Sequence, residues 1–313
     1  MAAGSVCSLS TNCEEILQAA RETFLPFDPP LSPDEFSVRL WVDNNDQAQP
    51  PWPKPYVRGL NHLVFAGFDA GSSLLANLRT RLVIGRFSPA MAADTAYWRS
   101  IIFPMLLSVV SGSVGLAELH ACCVAKNQRG LVLIGPSRSG KSTLAMALTA
   151  SGFRLLSDDR VFCSVRQGEL QAWGIPRPLK LRPEAAQWFD EFRHREPTDM
   201  QNGELVFHCD PNRRFGRQPL PKCQPTLLVF LERQEDPGFS ITRLQHSEAK
   251  TRIERDLLAE APEVAKEQAK IIDRLLSVPR WHLKYGGRPQ DIAEQLSAVF
   301  SANSEQQPLE IPA

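Results

Sequence analysis

Between the apolar run Leu131-Val-Leu-Ile134 and a helical-looking stretch from Ser142 to Ser151, the chain reads Gly135-Pro-Ser-Arg-Ser-Gly-Lys-Ser-Thr143. This is the pattern G-x-x-x-x-G-K-[ST]. It constrains the fold because it works only where a buried strand turns through a glycine-rich loop into a helix N-terminus. In that geometry the backbone N–H groups of residues 137 to 142 converge on a phosphate, helped by the positive end of the helix that starts near Lys141. Lys141 is expected to reach the β- and γ-phosphates of a nucleoside triphosphate, and Ser142 to ligate Mg²⁺. Gly135, Ser137, Arg138, Ser139, Gly140, Lys141, Ser142 and Thr143 are the expected cofactor-binding residues. Arg138 occupies a variable interior position whose side chain can face solvent.

After the helix, Gly152-Phe-Arg-Leu-Leu-Ser-Asp-Asp159 reads as a second apolar strand that ends in two carboxylates. Asp158 follows Lys141 by only seventeen positions. A helix of about ten residues and a short return strand would bring both carboxylates back to the carboxyl edge of the sheet, beside the γ-phosphate. Two carboxylates there can divide the work. One accepts the proton of an attacking hydroxyl, and the other holds Mg²⁺ directly or through water. Pairing also raises the pKa of one partner, which suits a base.

Three segments together, Leu119-His-Ala-Cys-Cys-Val124, Gly135 to Thr143 and Gly152 to Asp159, resemble the catalytic domain of bacterial HPr kinase/phosphorylase and the HPr-kinase-like proteins related to it. The resemblance spans about residues 116 to 300. It implies an α/β phosphate-loop kinase core that uses ATP and Mg²⁺. In that family a histidine before the phosphate loop contacts the first Asp of the later pair, which maps onto His120 and Asp158. The resemblance thus implies Asp158 as the general base toward a serine hydroxyl, His120 as the residue that tunes it, and Asp159 nearer the metal.

The family's Glu-x-Arg-Gly-Leu-Gly-like signature is absent, and Thr143 stands where the family has Glu. In place of that signature, Trp173-Gly-Ile-Pro-Arg-Pro-Leu-Lys-Leu-Arg182 resembles divergent HPr-kinase-like proteins, some of which phosphorylate natural-product precursor peptides. The expected acceptor is a hydroxyl, serine above all, of a peptide or small protein. Without that signature, HPr as the acceptor and the reverse phosphorylase reaction stay open. A homo-oligomer is compatible with the resemblance, although the family's hexamer does not carry over without its contact signature.

Phosphoryl transfer also gains from a cation on the equatorial oxygens. Asp210-Pro-Asn-Arg-Arg-Phe-Gly-Arg217 places Arg213, Arg214 and Arg217 in an expected mobile loop, and the family brings such a loop to the nucleotide. Arg214 is the residue assigned there, with Arg177 and Lys180 as rivals. A regulatory module that binds nucleotide without transfer, and a small-metabolite kinase, are the competing readings. A GTPase is disfavoured because no Asn-Lys-x-Asp guanine-reading motif occurs, and the His and Lys arrangement of a phosphoenolpyruvate carboxykinase is missing.

The 313 residues suit two domains. Lys plus Arg and Asp plus Glu balance at 35 each, which gives no reason to expect a nucleic-acid partner. Seven scattered cysteines without Cys-x-x-Cys spacing read as reduced thiols, and the N-terminus lacks a signal-peptide pattern, so the chain is expected to be cytoplasmic. Ile101 to Ala117 is uncharged but short for a membrane span and reads as a buried helix beneath the ATP-binding sheet. No membrane partner is expected.

The expected organisation is a small α+β accessory domain over 1–115, the kinase core over 116–300 and an unstructured tail over 301–313. Strands are expected at Phe36–Val42, His62–Phe68 and Thr80–Arg86, with a loop at 45–54 and a helix over Ala93–Val110. Further along, Arg166-Gln-Gly-Glu169 reads as a hairpin turn, Thr226–Leu231 as a buried strand with Phe239–Leu244 beside it, and Trp281–Gly287 as a last strand before a closing helix over Asp291–Phe300.

Overall fold

The structure, a computed structural model, describes residues 3–24, 35–43, 49–175, 177–199, 204–255 and 262–305. Part of the expected loop at 45–54 and the tail beyond 305 lie outside these residues. The expected tail also begins late, because the last helix continues through 301 to Glu305. Two compact units emerge, one from Met1–Glu118, Phe162–Gly168 and Leu257–Ile271, the other from Leu119–Val161, Glu169–Asp256 and Ile272–Ala313. A single cut at 115 is therefore replaced by units whose segments interleave. Residues 162–168 and 262–271 are claimed by contacts far away in sequence, which local patterning does not record.

The first unit is a mixed six-stranded sheet packed on helices. Its strands are β1 (Val6–Thr11), β2 (Glu35–Val42), β3 (Tyr56–Leu60), β4 (Leu63–Gly67), β5 (Ser73–Asn77) and β6 (Leu82–Phe87), in the order β1-β2-β6-β5-β4-β3. β1, β2 and β6 run parallel, and β6, β5, β4 and β3 form an antiparallel meander. Alternate residues such as Phe36, Val38, Leu40, Leu74 and Val83 are buried, as the period of two in a half-buried sheet requires. The helix Glu14–Thr23 buries Ile16, Ala19 and Thr23. Helix Thr95–Val114 is long and apolar enough to cross a bilayer, yet over half of it is buried within the protein. It belongs to this unit and packs near Glu14–Thr23, which corrects its expected position beneath the other sheet. Phe87 and Trp98 anchor it, with ring centroids 4.6 Å apart.

The second unit carries a mixed sheet. Strands Arg154–Ser157, Ala121–Lys126, Arg129–Ile134, Lys222–Arg233, Arg280–Gly286 and Gly238–Arg243 follow one another across it, and Glu169–Gly174 pairs antiparallel with the N-terminal end of Lys222–Arg233. Arg129–Ile134, Lys222–Arg233 and Arg280–Gly286 are mutually parallel, and the outer pairs are antiparallel. The strand expected over Phe239–Leu244 beside Thr226–Leu231 forms as Gly238–Arg243 and pairs instead with Arg280–Gly286, which intervenes. The core strands are nearly all apolar, as suits strands covered on both faces. Helix Lys141–Ala150 buries Leu144 and Leu148 beside Phe153, whose ring meets Phe300 of the closing helix at 5.1 Å. A small sheet of Leu179–Leu181, Leu205–Cys209 and Thr198–Asp199 completes the unit.

Candidate active site

Strand Arg129–Ile134 ends where the glycine-rich loop begins, and helix Lys141–Ala150 starts where it ends. Gly140 is the pivot. Its φ is +87°, and a Cβ there would stand 2.0 Å from Tyr285 Oη, so both conformation and space demand glycine. Tyr285 donates its hydroxyl to the Ser139 carbonyl at 2.6 Å, tying the loop to the end of a neighbouring parallel strand. Lys141 Nζ donates to the carbonyls of Gly135 (2.7 Å) and Pro136 (3.0 Å), arching over the loop.

A cleft of about 620 Å³ opens over this loop, lined in part by Ser137, Arg138, Gly140, Lys141, Ser142 and Thr143. Gly135 and Ser139 stand behind it. Ser139 Oγ is buried without a hydrogen-bond partner among the described residues and lies 2.6 Å from where a Cβ on Gly135 would be.

The return strand Arg154–Ser157 delivers Asp158 and Asp159 to the same cleft. Asp159 has φ +73°, a left-handed conformation that Asp tolerates better than most residues. That turn sends the two carboxylates different ways. Asp158 is buried, accepting from Ser142 Oγ at 2.9 Å on Oδ1 and from the Lys180 backbone N–H at 3.3 Å on Oδ2. Burial pushes its carboxyl above the ordinary range, against the pull of those two hydrogen bonds. Asp159 instead meets His120, with Nε2 to Oδ1 at 3.2 Å. The hydrogen bond from His120 holds the Asp159 carboxyl down at about 2. The expected contact of His120 with Asp158 is thereby corrected, because the left-handed turn puts the second Asp beside the histidine.

The arginine segment also differs from expectation. Pro211–Arg214 is a short helix capped by Asp210, and Arg214 pairs with Glu191 at 3.1 Å instead of lining the cleft. The reason lies in Arg154–Ser157, which is the last strand of its sheet and offers an unpaired backbone edge. Asn212 satisfies both backbone groups of Leu155, at 2.9 and 2.7 Å. Arg217 donates to the carbonyls of Thr149 and Phe153. The segment is a strap over that edge. Cations do enter the cleft from elsewhere, as Lys180, Arg182 and Arg233. Arg182 is held by Glu204 at 2.5 Å. Burial, and then the charge of Arg177, lower the Lys180 pKa.

Tyr285, Asn212 and Arg233 escaped the sequence reading. Only the strand order places Tyr285 and Arg233, partners in register on adjacent strands, beside the loop. A polar Asn on a short turn carries no signal of the edge it will cover.

No protein-family model matches the chain. A chloroplastic ATP synthase epsilon chain from Adiantum capillus-veneris is 32% identical over 97 residues, which is 31% of this chain and 65% of that relative. The chain thus spans under two thirds of the length of the curated relative it matches. Among solved structures, the Hpr(Ser) kinase/phosphatase from Coxiella burnetii is 12% identical, covering 60% of this chain and 98% of its own, at a TM-score of 0.32. A superposition that loose supports no argument about activity.

The residues themselves suit a hard cation bound jointly with a phosphate. Ser142 Oγ and the Asp158 carboxylate form an all-oxygen pair, the donor type that Mg²⁺ selects. Among the described residues no group of three or more His, Cys, Asp or Glu could hold a metal on its own. Mg²⁺ characteristically completes such a partial site with water and substrate phosphates.

Proposed function

We propose that the second unit is an ATP- and Mg²⁺-dependent phosphotransferase acting on a hydroxyl of a peptide or small protein. The observation that carries this reading is the convergence of Lys141, Ser142, Asp158 and the His120–Asp159 pair on one cleft at the carboxyl edge of a parallel strand. Lys141 exchanges its loop carbonyls for the β- and γ-phosphate oxygens. Ser142 and Asp158 hold Mg²⁺, which when bound neutralises charge on the transferring group. His120, oriented through Nε2 by Asp159, takes the proton of the attacking hydroxyl on its other ring nitrogen. Lys180 supplies the cation first assigned to Arg214. The acceptor oxygen gains the bond to phosphorus as the bridging oxygen of ADP leaves.

One observation favours a second division of labour. Burial strengthens proton binding by Asp158, which suits it to serve as the base, with Asp159 on the metal side. Metal titrations separate the two assignments. Transfer of γ-label from ATP to serine-containing peptides or HPr, with Mg²⁺ present, tests the function itself. Nucleotide binding without transfer to peptide, protein or metabolite acceptors favours a regulatory module, and label on metabolites alone favours a metabolite kinase.

A further inference from the structure

The first unit carries a surface that the phosphotransfer reading does not use. Its sheet buries one face, but the other is not the polar surface that a solvated sheet face ordinarily presents. One register row across it reads Ser10, Arg39, Ile84, Leu75, Phe65 and Arg58. On the rows to either side, Trp41 is 52% exposed, Tyr56 50% and Leu60 71%, while Phe65 at the centre is 42% exposed. An apolar field of this kind marks an interaction site when it is rimmed by polar groups.

The central rows carry charge of one sign. In the three central register rows the charged residues are Arg39, Arg58 and Arg86, and no carboxylate occurs among them. The nearby carboxylate of Asp43, just past the end of β2, pairs with Arg86 at 3.4 Å. Aromatic side chains with arginine are the composition enriched at the core of protein interfaces. The flank of this field is β3, the last strand of the sheet, with Tyr56, Val57, Arg58 and Leu60 exposed. An edge strand presents backbone donors and acceptors to which an extended peptide can pair.

We infer that this face docks an extended acidic peptide segment, paired along β3, with apolar side chains at alternate positions lying over Leu60 and toward Phe65 on the adjacent strand, and a carboxylate meeting Arg58. A second copy of the chain fits less well, because a two-fold contact sets a patch against itself and would oppose its arginines. A lipid surface could use the charge and the aromatics but not the backbone edge.

The test is fluorescence anisotropy of the full chain with labelled peptides of alternating Glu and Leu or Phe, a Lys-for-Glu counterpart, and anionic phospholipid vesicles. Arg58→Glu and Phe65→Ser variants are compared, each checked by thermal melting. Both changes lie on an exposed face and leave the buried core intact.

Expected are binding of the acidic peptide, little binding of the basic one, weakening by salt, and a loss of about tenfold or more in either variant. Amide exchange should slow at residues 56–60 on peptide addition. Equal binding of acidic and basic peptides, no binding, or unchanged affinity in properly folded variants overturns the proposal. So does binding to vesicles alone, or a dimer that the same substitutions break. The readout is affinity, so the result stands apart from whether the second unit transfers phosphate.

Discussion

Ser142 Oγ and Asp158 Oδ1 meet at 2.9 Å although sixteen positions separate them in sequence. The helix that follows the loop and the strand that returns from it place a hydroxyl and a carboxylate where a phosphate-bound cation would need both. Asp159, the next residue, faces His120 instead.

This pairing predicts opposite metal behaviour for the adjacent carboxylates. Asp158→Asn should raise the Mg²⁺ concentration needed for half-maximal transfer by about tenfold or more. Asp159→Asn and His120→Ala should leave that requirement nearly unchanged and lower kcat by about 10²-fold, within the range of general base catalysis. Steady-state rates across a Mg²⁺ series decide it. The reverse pattern would assign the base to Asp158.

Stability should also respond with opposite signs. Burial makes folded Asp158 bind its proton more tightly than the unfolded chain does, so its ionised form costs stability at neutral pH, and the cost fades as acid protonates both states. Asp158→Asn is therefore expected to melt at or above the wild-type temperature near neutral pH, with the advantage shrinking in acid. Asp159 is the reverse. Its carboxyl, held at about 2, contributes stability above its ordinary value of 3.8 and loses it as pH falls toward 2. With the side chain 63% exposed, solvent screening keeps that contribution small. Asp159→Asn should lower the neutral-pH Tm slightly and not at all in strong acid, as calorimetry at several pH values would show.

Gly140 and Tyr285 should be energetically coupled. Gly140→Ala sets a methyl against Tyr285 Oη and adds a left-handed backbone penalty of about 1–2 kcal/mol. Tyr285→Phe removes the donor to the Ser139 carbonyl, at a cost of about 1–3 kcal/mol. Because the second change clears space for the first, the double variant should be less destabilised than the sum. A denaturation cycle checks this, and strict additivity would contradict the geometry.

The cations should separate by role. Lys180→Ala is expected to reduce kcat by about 10²-fold or more while the protein stays folded. Arg214→Ala should keep most activity, since Arg214 pairs with Glu191. Arg217→Ala should act on stability instead, because its guanidinium holds the Thr149 and Phe153 carbonyls. Rates and melting temperatures measured on the same preparations distinguish the three.

What the sequence made legible is what neighbours along the chain decide. The loop, its strand, its helix and the return strand with two carboxylates all follow from runs of a few residues. The partner of each carboxylate depends on one positive φ at Asp159 that no pattern announces. The arginine segment takes another role because Arg154–Ser157 becomes an unpaired edge only once the sheet is assembled; Asn212 covers that edge at Leu155, and Arg217 binds the carbonyls of Thr149 and Phe153 just before it. Gly238–Arg243 alternates as a strand should, but alternation does not name a neighbour. On β2, β4 and β6 the strands were readable, while the arginine-bearing apolar face appears only when six strands are set in register.

The most direct test of the central claim is a phosphotransfer assay with γ-labelled ATP and Mg²⁺ on peptide and protein acceptors, run beside equilibrium ATP binding. The comparison is wild type against Lys141→Ala and Asp158→Asn. Expected are label on a hydroxyl of the acceptor with wild type, weakened nucleotide binding in Lys141→Ala, and, in Asp158→Asn, nucleotide binding retained with transfer recovered only at about tenfold higher Mg²⁺. Tight ATP binding by the wild type with no label on any acceptor, or no ATP binding at all, would contradict it.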